Sequence, residues 1–247
     1  MVTKQEKQLA LDEALLASQE FQRNSMAAKL NWLRAGVLGA NDGIVSTAGL
    51  VMGVAGATTD SGAILIAGVA GLVAGSISMA GGEYTSVSAQ KDSEKAALAK
   101  ERIELKENPE LELRELAWFY QQKGLSTTLA TKVAEELTAK DALKAHAEAE
   151  LGIDSEQHAS PGQAALASFV AFAGGSLLPL LAVTGPCVAY RIPVTVGAVV
   201  LSLAITGYVG AKIGGARSLA AIVRNVVVSL LTMGITYGIG LLVGTAV

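Results

Sequence analysis

Residues 32–57 read WLRAGVLGANDGIVSTAGLVMGVAGA, and after Arg34 the stretch holds a single charge, Asp42. A helix rising 1.5 Å per residue needs about twenty apolar residues to cross a ~30 Å hydrocarbon layer, and this segment is long enough. Its glycines at 39, 43, 49 and 53 would weaken a helix in water, by about 0.8–1.0 kcal/mol each relative to alanine. In lipid, small residues at four-residue spacing instead let helix backbones approach closely. The segment therefore reads as a membrane span, Trp32–Ala57.

Four further stretches have the same character: Gly62–Ser86, Gln163–Val183, Pro193–Lys212 and Leu219–Val247, the last opening on an interfacial turn around Arg224 and Asn225. Glu83 is the only charge between Gly62 and Ala89, Arg191 the only one between Gly162 and Ala211, and none follows Asn225. The pairs Gly71/Gly75, Gly210/Gly214, Gly234/Gly238 and Gly240/Gly244 repeat the four-residue spacing and predict a tight bundle with contacts between subunits. Pro179 falls inside the third span and predicts a kink. Of 247 residues, 51% are hydrophobic and 17% charged, against about a quarter charged in soluble domains. The lone Cys187 excludes an intramolecular disulfide and a four-thiolate zinc site. A net charge of −3 gives no electrostatic case for nucleic acid.

The charge that the spans lack is concentrated between Lys91 and Glu156, which holds 15 of the 22 acidic and 10 of the 19 basic residues. The chain divides accordingly into an N-terminal amphipathic segment (1–31), spans one and two (32–90), a helical insert (91–160) and spans three to five (161–247). The first thirty residues contain no long apolar run and are read as a short helix, not a signal peptide. Basic flanks stay in the cytoplasm. Lys4, Lys7, Arg23, Lys29 and Arg34 precede or open span one, and ten basic residues lie in the insert. Lys212, Arg217 and Arg224 lie between spans four and five, whereas the loop TTDSG and the C-terminus have none. The N-terminus and insert are thus expected on the cytoplasmic side. The expected fold class is all-α: a polytopic membrane protein with five transmembrane helices and a cytoplasmic helical insert between helices two and three, for which metal binding is the candidate role.

Asp42 lies ten residues, about 15 Å of helix, beyond Trp32, which places a carboxylate near the bilayer midplane. Translocon scales put its cost there at about 2.5–3.5 kcal/mol, so an ion or proton pathway is the expected reason for it. The other reading of Asn41-Asp42-Gly43 is a local break with Asp42 bonded to backbone amides. Glu83 lies nearer the cytoplasmic end of span two, where snorkelling is easier, and Met79 sits one turn before it on the same face. Span two is expected to continue as a helix to Asn108-Pro109. A second insert helix runs from Glu110 to about Lys123, and a third, capped by Ser126, runs to Gly152 with a break near Asp141. Glu101/Glu104 and Glu112/Glu115 are i,i+3 pairs on either side of the turn, and His146/Glu150 is an i,i+4 pair on the last helix. The commonest fate of such helices is a solvated, lysine-balanced surface. As ligands, carboxylates with one imidazole suit Fe²⁺, Mn²⁺ or Zn²⁺ better than a soft, thiolate-seeking ion. The Glu-x-x-His pairs of a di-iron bundle are absent.

LRAGVLGANDGIVSTAGLVMGVAGA (33–57), AGSISMAGGEYTSVSAQKD (74–92), ERIELKENPELELRELAWFYQQKGL (101–125) and DALKAHAEAELGID (141–154) together resemble the vacuolar iron transporter family. The resemblance covers residues 32 to 247. It implies a homodimer with five spans per subunit that moves Fe²⁺ out of the cytosol in exchange for protons. It also implies that Glu101, Glu104, Glu112, Glu115 and Glu150 bind metal in the insert, that Asp42 and Met79 line the pathway, and that Glu83 belongs to the GEY motif of one branch. Two positions depart from plant members, which have methionine at His146 and a second-span glutamate at Gly71.

The expected activity is proton-coupled transport of a divalent metal, Fe²⁺ and then Mn²⁺, with no prosthetic group and no catalytic residues. The expected partners are a second copy, the lipid bilayer, divalent ions and protons. The competing readings are a membrane-anchored, metal-dependent enzyme of ferroxidase type and a metal sensor using the same glutamates. A midplane carboxylate separates them, since neither an enzyme nor an anchor needs one. The expected location is the cell (inner) membrane, with a vacuolar membrane as the alternative.

Overall fold

Helix α1 (Ala35–Ala57) carries both hydrophobic cores of the membrane-type part. Residues 35–153, 160–185 and 187–246 are described by the computed structural model. The expected N-terminal segment and the first residues of span one, Trp32 to Arg34, lie outside the described residues. One face of α1 buries Ile44, Ala48 and Met52 against Val199, Leu203 and Met233, and Val51 packs with Ile64, Leu180 and Val183 on another.

After α1 the chain turns at Thr58-Thr59-Asp60. The Asp60 carboxylate accepts from the N–H groups of Gly62 (2.9 Å) and Ala63 (3.4 Å), satisfying donors that a helix start leaves unpaired. Helix α2 (Ser61–Glu107) then runs for 47 residues until the residue before Pro109 is pushed out of helical geometry. Helix α3 (Pro109–Gln122) starts on that proline, which has no N–H to leave unsatisfied. Helix α4 (Thr127–Ala149) is capped by the Ser126 hydroxyl, which accepts from Leu129 N–H at 3.4 Å. The break expected near Asp141 is present: Asp141 leaves helical geometry (φ −164°, ψ 96°), and its carboxylate accepts from Lys144 N–H at 3.0 Å as the cap of a second helical piece. Gly152, at φ +63°, closes the final turn beyond Glu150. Helices α5 (Pro161–Thr184), α6 (Arg191–Ile213) and α7 (Ser218–Gly244) follow, α6 after a 3₁₀ turn over Val188–Tyr190.

Every regular element among the described residues is helical, and five helices are long and apolar enough to cross a membrane. The chain divides into two compact units. One contains the residues up to Tyr84 and those from Pro161 onward, and the other contains Thr85–Ser160. The first exposes large aliphatic side chains such as Leu166, Leu181, Leu231 and Leu242, as a lipid-facing surface requires. In the second, α3 and α4 pack through Leu116, Ala117, Ala134 and Ala145.

Two boundaries differ from the sequence reading. Arg191, read as a loop charge before a span at Pro193, is the first residue of α6 and is buried. Its guanidinium donates to Thr59 O and to Ser61 Oγ, and Pro193 is tolerated because it sits in the first helical turn. No interfacial turn forms at Arg224 and Asn225, since α7 is continuous from Ser218.

The glycine pairs explain how α1 is approached. A Cβ on Gly43 would run into the backbone carbonyl of Phe172 in α5, and one on Gly240 of α7 would run into the carbonyl of Gly53. Gly234, Gly238 and Gly197 meet nothing within 4 Å, so not every spaced glycine serves packing inside the chain. Gly240→Ala should therefore destabilise the detergent-solubilised protein by about 1–3 kcal/mol in thermal unfolding, the usual penalty for overpacking. Gly197→Ala should leave the midpoint unchanged or slightly raised, because alanine is the better helix former.

Candidate metal centre

Glu101 near the end of α2, Glu112 in the first turn of α3 and His146 in the last turns of α4 meet inside the Thr85–Ser160 unit. Each offers a ligand atom within 4.8 Å of the others, and all three are buried. His146 Nδ1 lies 3.0 Å from Glu101 Oε1, 3.4 Å from Glu150 Oε2 and 3.9 Å from Glu112 Oε2. His146 is wholly inaccessible, and its Nε2 has no hydrogen-bond partner among the described residues.

The local folding that produces this group is simple. The Asn108-Pro109 turn folds α3 back so that Glu112 faces the end of α2, and the Asp141 cap restarts α4 so that His146 points into the same space. Burial pushes the Glu101 carboxyl up from its ordinary range, with the Glu150 charge adding to the rise and His146 opposing it. Burial likewise raises Glu112, helped by Glu115 and again opposed by His146. Two buried carboxylates and an imidazole form a hard-to-borderline donor set that fits Fe²⁺, Mn²⁺ or Zn²⁺. Glu150 stands at the rim, half-buried. Glu104 is outside the close group and pairs with Lys100 at 2.8 Å, and Glu115 acts on Glu112 through its charge.

Asp42 of α1 meets Met79 and Glu83, one turn apart on α2, around one cavity of about 480 Å³ that Phe172 of α5 also lines. Asp42 Oδ1 accepts a 2.6 Å hydrogen bond from Ser46 Oγ, one helical turn away. Neighbouring Asn41 accepts from the Thr206 hydroxyl of α6, which fixes the rotation of α1 beside the cavity. Gly71 lines the same space, and a Cβ there would displace the tip of Leu50. Ser46, Thr47 and Ser78 were missed as lining residues by the sequence reading. The spacing of Asp42 and Ser46 was an available signal, but nothing comparable marked Thr47.

The VIT family model matches residues 33–241 of the chain. This protein belongs to the VIT family. It is 48% identical over 214 residues to a vacuolar iron transporter of Acanthamoeba castellanii, covering 85% of this chain and 78% of the relative. It is 37% identical to vacuolar iron transporter homolog 5 of Oryza sativa subsp. japonica, over 87% of this chain and 81% of the relative. It is 36% identical to vacuolar iron transporter homolog 4 of Arabidopsis thaliana, over 88% and 86% respectively. The VIT family is one of transporters, and the protein is a membrane protein, not an enzyme.

Calorimetry on the detergent-solubilised full chain tests the three-residue group. Glu112→Gln or His146→Ala should weaken the tightest Mn²⁺ site by at least about tenfold, roughly the loss of one ligand. Glu115→Gln and the exposed Glu110→Gln should change it by less than about threefold.

The raised carboxyls also set a pH dependence. Without metal, the folded unit holds protons on Glu101 and Glu112 more tightly than the unfolded chain does. Their stability contribution is therefore present below the ordinary glutamate pKa of 4.5 and is lost as pH rises through the raised values. Metal must displace those protons, so Mn²⁺ should protect α3 and α4 from hydrogen exchange more strongly at about pH 7.5 than at about pH 5.

Proposed function

We propose that the protein is a proton-coupled divalent-metal transporter, taking Fe²⁺ and then Mn²⁺ out of the cytosol. The observation that carries the proposal is the cavity in which Asp42, Met79 and Glu83 come together between helices apolar enough to span a membrane. A carboxylate inside a membrane is costly and is retained where ions or protons pass. It holds either a metal ion or a proton, and exchange requires that alternation. Family membership and the vacuolar iron transporters among the relatives support iron as the cargo.

The Thr85–Ser160 unit is the collector. Glu101, Glu112 and His146 form its closed centre, while Glu104, Glu115 and Glu150 supply the surrounding negative charge. The distribution of basic residues supports a cytoplasmic N-terminus and insert, with the cell membrane as the location. Asp42 and Ser46 are exposed on the single chain although they sit on an apolar helix. That exposure supports a homodimer in which a second copy covers the face of α1 and α2, because a carboxylate facing lipid would be expensive.

Transport in sealed liposomes provides the test. Asp42→Asn keeps the side-chain size and an acceptor oxygen but removes the charge and the titratable proton. It should abolish Fe²⁺ movement driven by a proton gradient while the protein still inserts and is recovered as the same assembly. Asp42→Asn liposomes that accumulate Fe²⁺ at the wild-type rate would end this reading of the cavity.

A further inference from the structure

Serine and threonine hydroxyls in apolar helices ordinarily donate to the carbonyl four residues back. Several hydroxyls of the described spans follow that habit: Ser76 donates to Leu72 O, Thr184 to Leu180 O, Thr195 to Arg191 O, Ser202 to Ala198 O and Thr232 to Val228 O. Thr47 and Ser168 are buried with no partner at all, and of these two Thr47 is the one that lines the Asp42 cavity. Its acceptor would be the carbonyl of Gly43, which instead accepts from Ser176 Oγ of α5 at 3.2 Å. Ser176 reaches it because Gly43 has no Cβ to hold α5 away. The Thr47 hydroxyl is left buried and without a hydrogen-bond partner, on a residue only 2% exposed that lines the same cavity as Asp42. A buried polar atom without a partner calls for an explanation, and an absent ligand is one of the few available.

We infer that Thr47 is a cation ligand of the membrane cavity, its hydroxyl oxygen replacing one water of a divalent ion held by Asp42. The inference rests on the transport reading above and extends it to a residue with no charge. Ser46, already bonded to Asp42 Oδ1, orients the carboxylate, whereas the buried Thr47 hydroxyl is engaged by no other group. An oxygen donor at this position favours hard and borderline ions such as Mn²⁺ and Fe²⁺ over soft ones.

The full-length protein in liposomes, supplied with Mn²⁺ or Cd²⁺ and a proton gradient, separates this role from packing. Thr47→Val keeps the shape and removes the hydroxyl. It should raise the half-saturating Mn²⁺ concentration about tenfold while changing the maximal rate less than about twofold. Thr47→Ser keeps the hydroxyl and should stay within about twofold of wild type. Thr47→Cys offers a soft sulfur and should shift the Cd²⁺-over-Mn²⁺ preference by about tenfold, a change that packing alone does not produce. Wild-type half-saturation in Thr47→Val, or an unchanged ion preference in Thr47→Cys, overturns the inference. If Thr47→Val does not fold, the Thr47→Cys preference decides. Asp42→Asn assayed in parallel keeps the two readings distinct. Transport lost in Asp42→Asn but normal in Thr47→Val removes only the role of Thr47, and transport retained in Asp42→Asn removes the pathway itself.

Discussion

Backbone-to-backbone approach onto α1 is the constraint on which the membrane-type unit depends. Within a bilayer, apolar side chains gain little by leaving lipid for one another, so cohesion has to come from close van der Waals contact and hydrogen bonds between helices. Gly43 admits α5 and Gly240 admits α7, in each case to the distance at which a single methyl group would strike a carbonyl. The approach of α5 lets Ser176 bond a backbone oxygen of α1, and from α6 Thr206 bonds Asn41. Those contacts fix the rotation of α1, and the rotation turns Asp42 and Thr47 toward the cavity.

The protein handles its acids in two different ways. In the Thr85–Ser160 unit, Glu101 and Glu112 are withdrawn from water and set against one another and against His146. The energy of that arrangement depends on what neutralises it, whether proton or metal ion. In the cavity, the acids are separated by a methionine and by hydroxyl-bearing residues, and Asp42 is partnered by Ser46. The first arrangement suits holding an ion and the second suits letting one go. Conduction needs sites weak enough to leave as well as favourable enough to enter.

Much of this was legible in the sequence, because membrane spans and helix stops are local properties. The five apolar stretches, the Pro109 stop, the Ser126 cap and the Asp141 break follow from composition and capping chemistry over a few residues. One boundary was decided by distant partners and another by local helix continuity. Arg191 looks like a loop charge until Thr59 O and Ser61 Oγ, more than a hundred residues earlier, are seen to receive it. Arg224 and Asn225 look like an interface, yet continuous helical hydrogen bonding carries the chain past them. Spacing proposed six metal-binding side chains in the insert, but which of them meet depends on how α3 and α4 pack. Thr47 was illegible, since its significance lies in a carbonyl that a serine from another helix has already taken.

The position of α1 also has a consequence for how the protein is made. The helix that the others pack against is made before the other four described spans, and Ser176, which bonds Gly43, comes 133 residues later. Until α5, α6 and α7 arrive, the start of α2 is the one neighbour α1 has among the described spans, and its aspartate has no completed cavity to face. The nascent first hairpin must therefore tolerate an ionisable residue at a cost of a few kcal/mol. Completion of the membrane unit thus waits for α7. A chain truncated before α7 would keep its apolar spans but lack the contact at Gly53 that closes the bundle around α1.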